Sequence, residues 1–367
     1  MLFHKFKGKI LILVVNFLQK RGTFLYNMLV FLPVVVFLAC YNSWIGLAIG
    51  CLSPLRALDY LKNSTMNTEQ TEYISRANPF RGMTYGDFRE QTAEENAADG
   101  AISPYYNVIK EHFSSQESDI ILKKDKCYVK NLTHLPAAEV KNIMLSPIGF
   151  RVEKNSSQPQ ILIMHTHATE SYVPAATDPY DENYAFRSTD NSRNMTAVGK
   201  VMADTLNSLG YNTLQDVTLH DYPSYNGSYD NSRQTVEKYL RQYPSIKIVL
   251  DIHRDAVERN GSPVAPVVTI NGAEYAQIMI ISGRDNGYMN MPNYRENLKF
   301  ATAVQNSVAG LYPGMVRPVL FDYRNYNQQL TTGSILVEIG THGSSLTRAK
   351  RSAAAFAHSL ARALDNM

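Results

Sequence analysis

Cysteine is scarce in this 367-residue chain, and neither sign of charge dominates it. Cys40 and Cys51 fall in one apolar stretch and Cys127 stands alone beyond it, so the sequence excludes a framework of internal disulfides. Lysine plus arginine total 36 and aspartate plus glutamate total 33, and the net charge of +3 gives no reason to expect nucleic acid as a partner. Internal repeats and low-complexity tracts are also missing. Stability must therefore come from an ordinary packed core, with or without help from a metal ion.

Charged residues are missing altogether between Gly22 and Leu55. A helix needs about 20 apolar residues to cross a bilayer, so we expect a transmembrane anchor within residues 1–55. A cleaved signal peptide is the alternative, but its apolar core is typically about 7–15 residues long. Basic residues precede the run at Lys5, Lys7, Lys9, Lys20 and Arg21. The positive-inside rule then predicts a single-pass protein of the cell membrane with an extracytoplasmic C-terminal domain.

Residues 56–155 give the weakest signals of secondary structure in the sequence. The segment from Asn63 to Gly100 is polar and interrupted by Pro79, Gly82 and Gly86, which is typical of a linker or stalk. From about residue 118 to 148 a strand-and-helix pattern is compatible with a small subdomain or with the lead-in to the main domain. We therefore predict three regions: an anchor (1–55), a stalk (56–155) and a catalytic domain (156–367).

The last region alternates apolar strands with amphipathic helices. Strands are predicted near residues 161–164, 246–252, 266–270, 277–283 and 335–340, and helices near 194–210, 232–242, 293–310 and 347–364. This alternation predicts an α/β fold, a three-layer sandwich around a central mixed, largely parallel sheet. Ligands of such folds bind beyond the carboxyl ends of the strands.

Three of the predicted strands run into histidine and glutamate. ILIM is followed by HTHATE, IKIVLDI by His253, and Glu338 lies near the end of ILVEIG. An unpaired carboxylate is costly to bury, so Glu338 is unexpected in an apolar strand. Two histidines and two glutamates at three strand ends suit a zinc site, with imidazoles and one carboxylate as ligands and a further carboxylate as proton acceptor.

The order of these residues resembles that of the zinc carboxypeptidases, in which an H-x-x-E pair and a later histidine bind zinc and a late glutamate is the base. By this resemblance His167, Glu170 and His253 are the ligands and Glu338 is the base. His165 and His167 alternate along an extended chain, so His165 is either a ligand in place of His167 or a residue that supports the site.

The residues around the motifs point to a different relative. LVEIGTHGS looks like the catalytic-glutamate strand of the zinc N-acetylmuramoyl-L-alanine amidases, and LDIHRDA looks like their second-histidine strand. HTHATESY, DIHRD, SGRDN and VEIG together resemble the stage II sporulation protein P family of membrane-anchored peptidoglycan amidases. The resemblance covers about residues 155–367. In the amidase relatives the carboxylate ligand precedes a helix like 194–210, which makes Asp190 the alternative to Glu170.

The resemblance implies a function, a cofactor and partners. It implies a zinc enzyme that cuts the bond between N-acetylmuramic acid and L-alanine, with cleavage of peptide cross-links as a second activity, during septal wall thinning in engulfment. The expected partners are peptidoglycan, the membrane, and the stage II sporulation proteins D and M. Alternatives are another extracytoplasmic zinc peptidase on the same scaffold, or a non-catalytic cell-wall scaffold. Arg284 in SGRDN is the candidate to bind a substrate carboxylate.

Overall fold

The computed structural model describes residues 102–175, 181 and 183–367, which form an α/β fold. The strands are β1 (Ile109–Glu111), β2 (Ile121–Lys124), β3 (Cys127–Asn131), β4 (Ile161–Met164), β5 (Thr213–Gln215), β6 (Ile248–Asp255), β7 (Glu258–Arg259), β8 (Ser262–Ile270), β9 (Ala273–Ala276), β10 (Ile278–Gly283), β11 (Val319–Asp322) and β12 (Gly333–Thr341). The helices are α1 (Ala137–Ile143), α2 (Met195–Ser208), α3 (Ser228–Gln242), α4 (Tyr294–Leu311) and α5 (Leu346–Asp365).

Among the described residues, eight strands form the main sheet, in the order β2-β3-β11-β10-β12-β6-β4-β5. The pairs β2–β3 and β10–β12 are antiparallel and the remaining pairs are parallel. The structure thus confirms an α/β fold with a mixed sheet. A smaller sheet joins β1, β7 and β9 to β8.

The two faces of the main sheet differ in character because side chains alternate along a strand. On one face, residues such as Ile163, Ile252 and Val337 are fully buried and pack with the helices α2, α4 and α5 into the apolar core. On the other face the central strands carry polar side chains between their apolar ones. That second face is covered by loops and by the start of α3, where Ser232 contacts Thr166 through their hydroxyl groups at 2.8 Å.

Helix boundaries follow local signals in the sequence. The Asn194 side chain accepts a hydrogen bond from the Thr196 amide at the start of α2, and Ser345 does the same for Arg348 at the start of α5. After α2 the chain passes through Gly210 with φ = +88°, a conformation that glycine adopts without steric cost. The predicted helix near 232–242 begins earlier, at Ser228.

The strands differ from the prediction in two places. His253 does not end its strand, because β6 continues to Asp255, where it still pairs with Thr341 of β12. The region predicted as a stalk contributes β1 to the small sheet and β2 and β3 to the main sheet. Within the described residues no helix is long and apolar enough to cross a membrane. The predicted anchor, residues 1–55, lies outside them.

Candidate active site

The polar face of the sheet brings the candidate residues of β6 and β12 together. Asp251 and His253 are two residues apart in β6 and therefore point to the same side. Glu338 is the direct partner of His253 in the parallel pairing of β12 with β6. Neighbouring strands lie only about 4.8 Å apart, so the His253 imidazole and the Glu338 carboxyl share one location above the sheet.

The HTHATE segment forms a tight turn at the end of β4. The Glu170 amide donates a hydrogen bond to the His167 carbonyl oxygen at 3.1 Å, which closes one turn over the H-x-x-E spacing. Backbone contacts with a later segment then hold the turn, since the Ser171 amide donates to the Phe186 carbonyl oxygen and Glu170 forms an isolated bridge with Arg187. The turn places His167 and Glu170 on the side of the sheet that carries His253.

His167, Glu170 and His253 are close neighbours. The Glu170 Oε2 atom lies 3.7 Å from His253 Nδ1, and the rings of His167 and His253 lie edge to face with centroids 5.2 Å apart. All three side chains are buried. Burial, assisted by the charge of His253, lowers the pKa of His167 to about 4, so this imidazole is neutral at pH 7.

Two further carboxylates stand behind the histidines. Asp251 lies 2.7 Å from His253 Nε2 and accepts hydrogen bonds from the Thr166 amide and hydroxyl at 2.8 and 2.7 Å. Asp221 lies 4.0 Å from His167 Nδ1 and accepts from Arg187 Nη1 at 2.7 Å. A carboxylate as close as Asp251 orients an imidazole that binds metal, whereas 4.0 Å is too long for a hydrogen bond between His167 and Asp221.

The electrostatics of the site favour a cation beside His253. Burial alone would lower the pKa of His253, but the carboxylates of Asp251, Glu170 and Glu338 outweigh it and raise that pKa to about 9. In the absence of a metal ion a proton on His253 therefore offsets part of the surplus negative charge. A divalent cation held at the same place would offset it more fully.

Glu338 lacks the partners that a buried carboxylate normally has. Its Oε2 atom is buried and has no hydrogen-bond partner among the described residues, although the side chain as a whole keeps some contact with solvent. Burial raises the pKa of Glu338 to about 8; His253 opposes the shift, and Asp255 and Glu170 add to it. A carboxyl group with a pKa near neutrality is suited to accept and return a proton.

His165 is not part of this group, which corrects its inclusion among the expected ligands. Alternation along β4 turns it to the opposite face, where the ring touches Gly199 of α2. Its Nδ1 atom lies 3.0 Å from the Ile252 carbonyl oxygen and its Nε2 atom 3.1 Å from Gln215 Nε2. Both ring nitrogens are thus occupied, and burial lowers the pKa of His165 to about 4. His165 supports the packing of α2.

Arg284 and Asp190 also lie apart from the site. Arg284 follows β10, which runs antiparallel to β12, so it lies beyond the opposite edge of the sheet and donates to the Tyr323 hydroxyl at 2.9 Å. The expected role of Arg284 in binding substrate at this site is corrected by that placement. Asp190 is exposed, and its carboxylate accepts from the amide and hydroxyl of Ser192 in the turn before α2. The structure therefore favours Glu170 as the carboxylate ligand.

Four residues at the site were missed from the sequence. Asp251 sits in the apolar run IVLDI, and the reasoning that singled out Glu338 would have found it. Asp221 and Tyr225 lie in the tyrosine- and asparagine-rich segment DYPSYNGSYDNS (221–232), whose composition suits stacking on sugars or hydrogen bonds to a peptide but marks no single residue. Arg187 lies in a loop with no such signal. The Tyr225 ring is stacked on His167 at 4.5 Å, and the Arg187 guanidinium lies over Tyr225 at 5.0 Å.

The donor set suits zinc, although the side chains do not form a closed metal cage. In the described part of the chain, no three histidine, cysteine, aspartate or glutamate side chains are arranged to hold a metal ion as they stand. However, two imidazoles and one carboxylate are the ligands of many catalytic zinc sites. The buried Nδ1 atom of His167 also has no hydrogen-bond partner within the described residues. By its chemistry, the set of His167, Glu170 and His253 fits this metal.

Solved structures similar to this chain include several cell-wall amidases. The CwlD amidase of Clostridioides difficile, in complex with the GerS lipoprotein, aligns over 56% of this chain and 94% of its own at 12% identity, with a TM-score of 0.33. The amidase AmiC2 of Nostoc punctiforme aligns over 57% of this chain and 98% of its own at 14% identity, also with a TM-score of 0.33. These scores are too low to support an inference by themselves.

Sequence similarity is more informative. Stage II sporulation protein P of Bacillus subtilis (strain 168) is 30% identical over an alignment of 208 residues that covers 54% of this chain and 49% of the relative. The chain thus matches about half the length of that protein. The family model for stage II sporulation protein P matches residues 62–361, well over half of the chain and all of the site described above. On this match the chain belongs to the stage II sporulation protein P family.

Proposed function

We propose that this protein is a zinc-dependent N-acetylmuramoyl-L-alanine amidase that hydrolyses peptidoglycan. The observation that carries the proposal is the grouping of His167, Glu170, His253 and Glu338 on the polar face of the sheet, with Asp221 and Asp251 behind the histidines. Membership in the stage II sporulation protein P family supports the choice of substrate.

The roles of the residues follow from their positions. His167, Glu170 and His253 would hold the zinc ion, and Asp251 would keep the His253 imidazole in orientation. When bound, zinc polarises the amide carbonyl and lowers the pKa of water at the site. Glu338 would take the proton of the attacking water and give it to the nitrogen of the leaving L-alanine. Its raised pKa and its unpaired Oε2 atom suit this proton transfer.

The biological setting is proposed from the family. The protein would thin the septal cell wall during sporulation engulfment, in concert with the stage II sporulation proteins D and M, and would also cleave peptide cross-links. Residues 1–55 would anchor it in the cell membrane with the catalytic part outside. If the anchor spans the bilayer, the protein stays with the membrane fraction after a carbonate wash; release by the wash contradicts a spanning anchor.

Digestion of purified sacculi tests the activity. We expect the full chain with zinc to release intact stem peptides with new L-alanine amino termini and to leave the lactyl groups of the glycan as free acids. Mass spectrometry of the products distinguishes this cut from cleavage within the peptide. Products cut only within peptides would favour the alternative zinc peptidase, and an absence of products would favour a non-catalytic scaffold.

His253→Ala is the matched variant for the metal. It removes one proposed ligand and should abolish zinc binding and hydrolysis together, as measured by metal analysis and product yield. Arg284→Ala is the control. Arg284 follows β10, which runs antiparallel to β12, so it lies at the opposite end of the strands from Glu338, and its loss should change neither the zinc content nor the product yield. Stoichiometric zinc in His253→Ala would show that the ligand set is wrong.

A further inference from the structure

Exposed tyrosines border the candidate site on the side of His167. Tyr222 is 60% exposed and Tyr225 is 56% exposed, and both lie on the loop that leads into α3. Tyr225 is stacked on the His167 ring at 4.5 Å with an interplanar angle of 13°. Tyr229 meets the same ring edge-on at 5.5 Å and is itself stacked on Tyr326 at 5.2 Å. We call Tyr222, Tyr225, Tyr229 and Tyr326 the tyrosine wall.

Hydrogen bonds of neighbouring residues anchor the backbone that carries the tyrosine wall. His220 is buried, with Nδ1 2.8 Å from the His165 carbonyl oxygen and Nε2 2.9 Å from the Thr235 hydroxyl. The next residue, Asp221, accepts from the Thr169 hydroxyl at 2.6 Å. On the far side of the wall Asn327 donates to the Tyr229 carbonyl oxygen at 2.8 Å. Aromatic rings that are exposed on an anchored support lose little conformational entropy on binding, which is how binding surfaces use tyrosine.

The charge of the wall indicates which part of a substrate it would meet. From Tyr222 to Tyr229 the chain carries no charged residue and offers serine and asparagine side chains beside the rings. The guanidinium next to Tyr225 belongs to Arg187, which already donates to Asp221 at 2.7 Å. A stem peptide carries carboxylates, so a surface that binds it would need cationic side chains that are not already paired. A neutral sugar ring, with apolar C–H faces and polar hydroxyl and acetamido groups, matches this surface better.

The chemistry of the substrate places such a ring close to the metal ligands. In N-acetylmuramoyl-L-alanine the scissile carbonyl belongs to the lactyl group, so only the ether oxygen and one carbon separate it from the sugar. A carbonyl bound beside His167 therefore brings a sugar ring to the neighbourhood of Tyr225. We infer that Tyr225, together with the exposed Tyr222 three residues earlier on the same loop, forms the subsite for an uncharged N-acetylhexosamine ring of the glycan strand, on the acyl side of the scissile bond. This assignment rests on the proposed amidase function.

Two substrates that differ only in the sugar test the subsite. One is a disaccharide muramoyl peptide, and the other is the same peptide carrying a lactoyl group without sugar. With the full chain we expect Tyr222→Ala and Tyr225→Ala each to lower kcat/KM about tenfold on the disaccharide substrate, the size expected for one lost ring contact, and to leave the lactoyl peptide within about twofold. Tyr225→Phe should retain the preference for the sugar, because it keeps the ring.

Controls separate a subsite from a structural role. Tyr288→Ala is the matched control, since Tyr288 is 93% exposed and is not part of the wall, and it should change the rate on neither substrate. Zinc content should be unchanged in both alanine variants of the wall. Equal losses on the two substrates, or loss of zinc from Tyr225→Ala, would overturn the subsite, because Tyr225 would then only hold His167 in position.

A binding measurement separates this inference from the proposed function. Neutral oligomers of N-acetylglucosamine, titrated into the full chain by calorimetry, should bind, and each wall variant should bind about tenfold more weakly. If the protein hydrolyses neither substrate but binds the oligomers through the wall, the amidase proposal fails and the sugar subsite stands. If it hydrolyses both substrates equally well and the wall variants bind the oligomers as the wild type does, the amidase stands and the subsite is wrong.

Discussion

Glu338 is a carboxyl group in a strand that is otherwise apolar, and its surroundings explain why it is there. A buried carboxylate without partners costs several kcal/mol unless it stays protonated. Burial raises the pKa of Glu338 to about 8, which favours its protonated form at pH 7. A cation bound by His167, Glu170 and His253 would lower that pKa and make the carboxylate available as a base.

Replacing Glu338 with glutamine separates catalysis from metal binding. The amide keeps the size of the side chain but cannot accept the proton, so hydrolysis should fall by about 10²–10⁴-fold, the usual contribution of a general base. Zinc content should be unchanged, because Glu338 is not in the proposed ligand set. Initial rates on sacculi and metal analysis of the same preparation provide the two measurements.

The two ways in which this prediction can fail have different meanings. If Glu338→Gln loses its zinc, Glu338 is a ligand and the base must be sought among the neighbouring carboxylates. If Glu338→Gln keeps near-normal activity, the proposed mechanism is wrong although the family assignment stands.

The sequence predicted the types of element in the C-terminal region better than their faces. Helices and strands were recognisable because apolar periodicity and capping residues act locally. Which histidine of HTHATE faces the site depends on where β4 ends and on the turn from His167 to Glu170, and that turn is fixed by contacts with the distant segment around Phe186. The position of Arg284 depends on the antiparallel pairing of β10 with β12, which no local pattern reveals.

The contact between β4 and α2 can be tested through Gly199. A Cβ atom at this position would lie 2.5 Å from the His165 ring and 2.7 Å from Gln215 Nε2. Both side chains are held by hydrogen bonds, so we expect Gly199→Ala to lower the free energy of unfolding by about 1–3 kcal/mol. Urea denaturation measures the change.

Gly310→Ala is the matched control in another helix. Its nearest neighbour would be Lys126 Nζ at 3.7 Å, the end of a flexible side chain. The substitution should raise the free energy of unfolding by about 0.5–1 kcal/mol, since alanine favours the helix. Equal effects of the two substitutions would contradict the placement of His165 against α2.

Helix α5 carries a histidine that makes stability depend on pH. Burial lowers the pKa of His358 to about 4, against 6.5 for an ordinary histidine. Between these values the unfolded chain binds more protons than the folded one, so the stabilisation by neutral His358 is complete above pH 6.5 and is lost as the pH falls towards 4. Urea denaturation at pH 7 and at pH 4.5 measures how much unfolding free energy the protein loses on acidification. This loss should be about 1–3 kcal/mol smaller in His358→Leu than in the wild type. An identical pH dependence in the variant would exclude His358 as its source.

At the scale of the whole molecule, the sequence could not show that residues 109–131 belong to the same sheets as the C-terminal region. Strands β2 and β3 form a local hairpin, but β1 and β3 join the sheets through β8 and β11, about 155 and 190 residues further along the chain, and no local pattern reveals those pairings. In the structure β3 pairs with β11 through Val129 and Val319, and β1 pairs with β8. The predicted division at residue 155 therefore falls between strands of one sheet, whereas the anchor within residues 1–55 stays a prediction.

Two truncated chains test whether the strands of residues 109–131 are needed for folding of the C-terminal region. A chain of residues 156–367 lacks β1 to β3 and α1, which leaves β11 as a sheet edge and uncovers the buried Val319 and Phe321. It also loses the buried apolar side chains Leu122, Val129, Val140, Ile143 and Met144. At about 1.5–3 kcal/mol each, these side chains account for roughly 7–15 kcal/mol, comparable to the whole stability of a typical domain. We expect this chain to aggregate or to unfold without a cooperative transition.

A chain of residues 102–367 should instead give one sharp transition by circular dichroism and a monodisperse peak in gel filtration. If both chains unfold cooperatively at the same urea concentration, the strands of residues 109–131 add nothing to the fold, and the catalytic unit begins where the sequence predicted it.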